Sequence, residues 1–198
     1  MAEQPAGLVY EPDFLSFDDE RAMLDVFAGL DFQPIQMRGQ VARRTALHFG
    51  VAYDYDHPGR SARGEPFPEW LLPIRSRAAE LAGVEEDQLI EGLVQRYPAD
   101  ATIGWHRDAP MFGKVVGVSL GAPSRLRFRQ PRGDRRDVFE LTLEPRSAYV
   151  LAGAARSQWQ HSIPAVKEER YSITFRTLRS ARSRASGESG SAPSSSPG

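Results

Sequence analysis

The stretch Arg170-Tyr171-Ser172-Ile173-Thr174-Phe175-Arg176 decides the fold, because its polar and apolar side chains alternate. Successive side chains of a β-strand point to opposite faces, so this segment has one apolar and one polar face. Arg170 and Arg176 stand at the two ends of the polar face, about 20 Å apart at ~3.3 Å per residue. Both side chains are long enough to converge on a small dianion between them, although an edge strand with two solvated arginines has the same pattern.

A second informative stretch lies upstream and reads Gly104-Trp105-His106-Arg107-Asp108. On an extended segment, His106 and Asp108 project to the same side. A third possible metal ligand, His161, follows 55 residues after His106 on another predicted strand. Two imidazoles and one carboxylate form the facial triad of non-haem Fe(II) oxygenases, which leaves coordination positions open. Zinc is the competing metal, but a hydrolytic zinc site would also need a general base, and no acid is clearly placed for it.

Short predicted strands separated by turn residues fill the region between these stretches. They are Val115–Leu120, Arg125–Arg129, Val138–Leu143, Ala148–Leu151 and Tyr171–Thr177. Evenly spaced strands of this length that follow an N-terminal helical layer favour a β-sandwich or jelly roll supported by helices.

The N-terminal half contains two predicted helices. Ser16 and Asp19 form a capping box at the start of the first helix. The second helix covers residues 68–82 and is expected to be bent or interrupted at Pro73. Residues 32–67 are rich in Arg, Gly, Pro and aromatic residues, and we expect them to be irregular with short strands.

Composition excludes several classes of protein. The chain has 198 residues, a length that suits one domain, and it has no cysteine, which excludes a disulfide scaffold, zinc-finger ligation and a thiol nucleophile. It contains no apolar run of the ~18 residues that a membrane span needs and no signal-peptide pattern. We therefore expect a cytoplasmic monomer without membrane contact. Residues 180–198 are rich in Ser, Gly and Pro without large apolar side chains, and we expect a disordered tail.

The charge of the chain is unevenly distributed. The formal net charge is −1, but residues 1–31 carry −7 and the remainder +6, and 23 of the 25 basic residues are arginine. Arg125, Arg127 and Arg129 alternate with apolar residues and therefore form one basic strand face. Many such faces are merely solvated, but this one could also bind the phosphates of a nucleic acid.

The order His106-x-Asp108, His161, Arg170-x5-Arg176 resembles the AlkB-type family of Fe(II)/2-oxoglutarate-dependent dioxygenases. The pattern Arg-Tyr-x-x-Thr-Phe-Arg at residues 170–176 is particularly characteristic of that family. Gln95-Arg96-Tyr97-Pro98 and the lead-in to the distal histidine at residues 153–161 are similar to two further family motifs. The similarity runs from about residue 10 to residue 179. Gln95 and Ser172 stand where the family has asparagine.

The resemblance implies a mainly β, α+β fold: a double-stranded β-helix (jelly roll) with N-terminal supporting helices. It implies one domain over residues 1–179 with a nucleotide-recognition lid at about residues 33–66. Fe(II), 2-oxoglutarate and O2 would be the cofactor and cosubstrates. The implied metal ligands are His106, Asp108 and His161, with Asp108 also counted as catalytic. The implied 2-oxoglutarate-binding residues are Arg170, Tyr97, Gln95, Ser172 and Arg176. Arg176 would support either the second carboxylate of 2-oxoglutarate or the acidic residue that ligates the metal.

The resemblance further implies oxidative demethylation of N-alkylated bases in nucleic acid, as in DNA alkylation repair, yielding succinate, CO2 and formaldehyde. A base in single-stranded or flipped-out form would contact Tyr53, Tyr55, Phe49, Trp159 and Arg129, although the two tyrosines and Trp159 could equally be core residues. One alternative is a hydroxylase or demethylase of a protein or small molecule. Another is a nucleic-acid-binding module with a vestigial metal site, which the intact pair Arg170 and Arg176 disfavours.

Overall fold

The computed structural model describes residues 3–37, 40–53, 61–132 and 135–179. The strands within these ranges are β1 (Leu8–Glu11), β2 (Gln33–Met37), β3 (Gln40–Tyr53), β4 (Ser61–Arg63), β5 (Leu89–Tyr97), β6 (Ile103–His106), β7 (Phe112–Gly121), β8 (Ser124–Arg132), β9 (Arg135–Leu143), β10 (Ala148–Leu151), β11 (Gln160–Ile163) and β12 (Arg170–Leu178). The helices are α1 (Phe17–Ala28), α2 (Leu72–Ala82) and α3 (Gly153–Ser157), with 3-10 turns at Glu69–Leu71 and Glu86–Gln88. The predicted tail at 180–198 lies outside the described residues.

The strands form two antiparallel sheets. The larger has the order β1-β10-β7-β12-β5-β3-β2, with β4 paired to β3, and the smaller has the order β6-β11-β8-β9. A hydrophobic core lies between the sheets, where Val115 and Leu151 of the larger sheet cluster with Leu126 and Phe128 of the smaller. This arrangement confirms the predicted jelly roll.

Helices α1 and α2 cover the outer face of the larger sheet. Phe27 of α1 and Ile74 of α2 pack in a second core with Ile173 and Phe175 of β12. The apolar face of β12 therefore meets the helices, and its polar face turns towards the space between the sheets. The predicted capping box at the start of α1 is present, since the Ser16 side chain accepts a hydrogen bond from the backbone of Asp19.

One local prediction was wrong, and another was confirmed in part. Residues 40–53 form one strand of 14 residues, because β3 pairs with β2 on one side and β5 on the other, and these long-range pairings outweigh the irregular composition. Gly50, at φ +76°, allows β3 to pass the carbonyl of Ile90, which would clash with a Cβ atom there. The helix predicted over residues 68–82 is divided next to Pro73: a 3-10 turn covers Glu69–Leu71, and α2 begins at Leu72 with Pro73 in its first turn, where the missing N–H costs no hydrogen bond.

No helix in the described residues is long and apolar enough to cross a membrane.

Candidate active site

The three predicted metal ligands come together at one end of the smaller sheet. His106 is the last residue of β6, and it lies directly opposite His161 of the neighbouring strand β11. Asp108 follows two residues after the end of β6. One ligand atom from each of the three residues lies within 4.8 Å of the others, and the two imidazole rings are 4.3 Å apart at their centroids. Pairing of β6 with β11 thus brings together groups that are 55 residues apart in sequence.

Hydrogen bonding leaves the ligand atoms available to a cation. Nδ1 of His106 lies 2.9 Å from the carbonyl oxygen of Gly104, so this nitrogen donates and Nε2 keeps a free lone pair. Oδ2 of Asp108 is buried without a hydrogen-bond partner and lies 3.5 Å from Nε2 of His161. Burial lowers the pKa of His161 to about 3, although the charge of Asp108 opposes that shift. A neutral imidazole beside an unpaired carboxylate oxygen fits a divalent metal such as Fe(II).

Arg176 orients the carboxylate of Asp108. Its Nε and Nη2 lie 3.0 and 2.9 Å from Oδ1 of Asp108. Burial is the largest single influence and by itself would raise the pKa of Asp108, but the electrostatic effects of Arg176, His161, His106 and Arg156 together outweigh it and hold the pKa well below its usual range. Because Arg176 occupies Oδ1, only Oδ2 remains directed at His161, and Asp108 can offer the metal one oxygen. The resemblance left two roles open for Arg176: to bind the second carboxylate of 2-oxoglutarate, or to hold the acid that ligates the metal. The contact with Asp108 supports the second role.

Glu91 completes this buried network, and the sequence interpretation did not include it. Its side chain is fully buried and accepts a hydrogen bond of 2.6 Å from Nη1 of Arg176. Burial raises the pKa of Glu91, while the charge of Arg176 acts in the opposite direction. A signal was present in the sequence: Glu91 is an acid with Leu89, Ile90, Leu93 and Val94 around it, and it has the same parity as Gln95 and Tyr97.

Replacing Glu91 with leucine should lower the free energy of unfolding by about 3 kcal/mol, because one member of a buried ion pair is removed. Glu91→Gln keeps an acceptor for Arg176 and should cost only about 1 kcal/mol. Urea denaturation followed by circular dichroism measures both changes. Glu140→Gln is the control, since Glu140 pairs with Arg127 at 2.7 Å at the surface and such pairs contribute ~0–1 kcal/mol. Equal losses in the leucine and glutamine variants of Glu91 would contradict the expectation.

A narrow cavity extends from the three ligands towards Arg170, and Gln95, Tyr97 and Ser172 contribute to its walls. Arg170 is 1% exposed, and its Nη2 donates a 3.0 Å hydrogen bond to Oγ of Ser119. The guanidinium lies 4.8 Å from the centroid of the Tyr97 ring. Nε and Nη1 of Arg170 are buried without hydrogen-bond partners. Two unpaired donors on a buried cation fit a carboxylate ligand, as 2-oxoglutarate would supply.

The remaining polar groups of this cavity differ in their availability. The Tyr97 hydroxyl donates to Oε1 of Gln95 at 2.8 Å. Tyr149, which the sequence interpretation also missed, lines the cavity and lies directly over Gly117. A Cβ atom at position 117 would come within 2.3 Å of the Tyr149 ring, so a glycine is required for this tyrosine to occupy the cavity wall. Burial raises the pKa of Tyr149, which keeps its hydroxyl protonated and able to donate.

Among the described residues, three of those predicted to contact a substrate, Phe49, Trp159 and Arg129, lie in different parts of the fold. Phe49 packs against Trp70 in the core beneath the helices, because β3 turns it to the face opposite the cavity. Trp159 is buried in the core between the sheets. Tyr53 is the last residue of β3 and Tyr55 lies outside the described residues, so their stacking role stays a prediction.

Arg129 lies on the outer face of the smaller sheet. Its neighbour Phe128 is paired with His161 across the ladder and shares the inner face, whereas Arg129 is paired with Gln160. Nε of Arg129 donates to the Gln160 side chain at 2.9 Å, and its guanidinium stacks 4.4 Å from the centroid of the Trp105 ring. Alternation along β8 therefore directs Arg129 away from the metal ligands.

The side chains of this site hold their groups in fixed positions. Bound Fe(II) and 2-oxoglutarate would supply the activation of dioxygen. Arg176 fixes the rotamer of Asp108, Gly104 fixes the tautomer of His106, and Arg170 presents charge at the far end of the cavity. Together these contacts place the metal ligands and the cation that would bind the cosubstrate along one cavity.

Comparison with known proteins identifies the family. Residues 26–182 match the family model of the 2OG-Fe(II) oxygenase superfamily. The chain is 26% identical to the tRNA (carboxymethyluridine(34)-5-O)-methyltransferase alkbh8 of Xenopus tropicalis over 80% of this chain and 25% of that protein. It is also 26% identical to the alpha-ketoglutarate-dependent dioxygenase alkB homolog 3 of Bos taurus over 70% of this chain and 52% of that protein. The chain thus spans between a quarter and about half the length of these relatives.

Solved structures agree on the fold. The structure of OsALKBH1 superposes with a TM-score of 0.63 at 17% identity, covering 89% of this chain and 99% of that chain. A prolyl-4-hydroxylase from Pseudomonas putida gives a TM-score of 0.61 at 16% identity, covering 87% and 93%. With the matched family model and a site that fits Fe(II) and 2-oxoglutarate, these relationships lead to one conclusion: the chain belongs to the 2OG-Fe(II) oxygenase superfamily as an AlkB-type dioxygenase that uses Fe(II), 2-oxoglutarate and O2.

Proposed function

We propose that this dioxygenase removes alkyl groups from N-alkylated bases in nucleic acid, as in the repair of alkylated DNA. The observation that carries the proposal is the similarity of the chain to AlkB homologues, together with a family match that spans the metal ligands and the cavity residues. One of its relatives is named for an activity on tRNA. That match covers only a quarter of the relative, so we do not extend its methyltransferase activity to this chain.

Within this proposal each part of the site has a role. His106, Asp108 and His161 would hold Fe(II). Arg170 would bind the distal carboxylate of 2-oxoglutarate, with Tyr97, Gln95 and Ser172 along the cavity. A base in a stacked duplex cannot reach a metal between two sheets, so the substrate base would be single-stranded or flipped out. Tyr53 and Tyr55, at and beyond the end of β3, would stack on that base.

The test measures formaldehyde and succinate together. The protein, loaded with Fe(II) and 2-oxoglutarate without oxygen, is exposed to air with DNA and RNA oligonucleotides that each carry one N-methylated base. We expect equal amounts of formaldehyde and succinate, and no formaldehyde from unmethylated oligonucleotides of the same sequences. Succinate without formaldehyde on every methylated oligonucleotide would overturn the nucleic-acid proposal and favour a protein or small-molecule substrate.

A further inference from the structure

A wide groove borders the proposed metal site on the side of the loop that follows β6. Its volume is about 610 Å³, and its lining includes four cationic side chains, Arg107, Lys114, Arg156 and Arg179. The acidic residue in this lining is Asp108, whose carboxylate is already paired with Arg176. The groove therefore combines a large open volume with a strong excess of positive charge.

Three of the four cations of this groove are held by backbone carbonyls. Nη1 of Arg107 donates to the carbonyl of Ser157 at 3.2 Å, and Nζ of Lys114 donates to the carbonyl of Ala82 at 2.6 Å. Nη2 of Arg156 donates to the carbonyls of Asp108, Ala109 and Phe112 at 3.3, 2.7 and 2.9 Å. A carbonyl fixes the position of a cation but does not cancel its charge. Among the described residues, none of the four groove cations forms an ion pair with a carboxylate.

The charges in the groove also act on one another. Arg107, Arg156 and Arg179 all line this groove. Nε of Arg156 is buried without a hydrogen-bond partner. The groove thus gathers like charges that an anionic ligand would stabilise.

The basic face predicted from the sequence of β8 is different. Arg125 and Arg127 both pair with Glu140, at 3.5 and 2.7 Å. Arg129 donates a hydrogen bond to Gln160 and stacks on the ring of Trp105. The arginines that the sequence suggested for phosphate binding therefore already have acidic, amide or aromatic partners. The cations without a carboxylate partner lie in the groove beside Asp108.

We propose that this groove binds the phosphodiester backbone of the nucleic-acid strand whose base enters the site, an inference that rests on the proposed function. Four cations spread along a groove of this volume suit a chain of phosphates better than a single small anion, and arginine presents a planar fork that matches phosphate oxygens. The groove adjoins Asp108, so a strand bound there lies next to the metal ligands.

The test compares two double variants that lose equal charge. Arg107→Gln/Arg179→Gln removes two exposed groove cations and spares Arg156, which holds the ligand loop. Arg125→Gln/Arg127→Gln removes two arginines from the face of β8.

Binding of a methylated single-stranded oligonucleotide is measured by fluorescence anisotropy at several salt concentrations. Each phosphate contact on a single strand contributes about 0.7 to the slope of log affinity against log salt. The slope of the groove variant should therefore be smaller than that of the wild type by about 1.4, and its affinity at physiological salt should be about tenfold lower. The β8 variant should keep the wild-type slope.

The same variants distinguish failure of the groove from failure of the proposed function. Calorimetry with 2-oxoglutarate should give the wild-type dissociation constant for both, which shows that the groove variant is folded. If the wild type binds the oligonucleotide but the groove variant keeps its slope and affinity, the groove assignment is wrong and the proposed function is untouched. If the groove variant weakens binding as expected but the wild type releases no formaldehyde, the groove stands and the demethylase proposal fails. Absence of oligonucleotide binding by the wild type would overturn both.

Discussion

Replacing Arg170 with methionine should raise the dissociation constant of 2-oxoglutarate by roughly two to three and a half decades. The guanidinium of Arg170 is buried at the end of the cavity, and two of its donors have no partner in the protein. A carboxylate bound there without its charged partner would be left uncompensated, which typically costs ~3–5 kcal/mol. Calorimetric titration of the Fe(II)-loaded protein without oxygen measures the change.

The stability of the unliganded protein gives an independent readout for Arg170. Burial lowers the pKa of its guanidinium, so the charge is costly to keep in the interior when no anion is bound. Arg170→Met preserves most of the apolar stem and should therefore leave the free energy of unfolding nearly unchanged. Arg129→Met, on the outer sheet face, is the matched control and should not alter 2-oxoglutarate affinity. A rise below threefold in the Arg170 variant would remove this residue from the cosubstrate site.

Replacing Asp108 with alanine should abolish Fe(II)-dependent succinate formation and lower metal affinity by more than 100-fold. Loss of a residue that only orients a metal ligand already costs ~10–100-fold, and Asp108 supplies the carboxylate of the proposed triad. Metal affinity is measured by anaerobic calorimetry with Fe(II), and turnover by succinate release. The domain should remain folded, because Arg176 keeps its 2.6 Å contact with Glu91.

His48→Ala is the control for this experiment. His48 lies outside the triad, with Nδ1 4.0 Å from Oε1 of Glu91, and we expect its replacement to leave metal affinity unchanged. Wild-type succinate formation in the Asp108 variant would show that the ligand assignment is wrong. A loss of metal affinity in both variants would show that the Glu91 network, rather than direct ligation, governs metal binding.

The sequence alone determined the features that depend on local periodicity and short motifs. Alternation along residues 170–176 predicted a strand with Arg170 and Arg176 on one face, and both side chains lie in the interior between the sheets. The capping box at Ser16 predicted the start of α1, and the spacing of His106 and Asp108 predicted that they project together. A strand has a period of two and a helix cap extends over four residues, so neighbours along the chain are sufficient to define them.

Only the tertiary structure decided which distant groups meet. Glu91 and Arg176 are 85 residues apart and are brought together by the pairing of β5 with β12. Asp108 follows β6 of the smaller sheet, so the packing of the two sheets brings it to Arg176 of β12, and Arg170 is left as the cation with unpaired donors. Residues 40–53 became a single strand through their pairing with β5, and Glu140 neutralised a basic face that looked available in sequence. Strand register and the charges across a ladder depend on partners far away in the chain, which the local pattern does not encode.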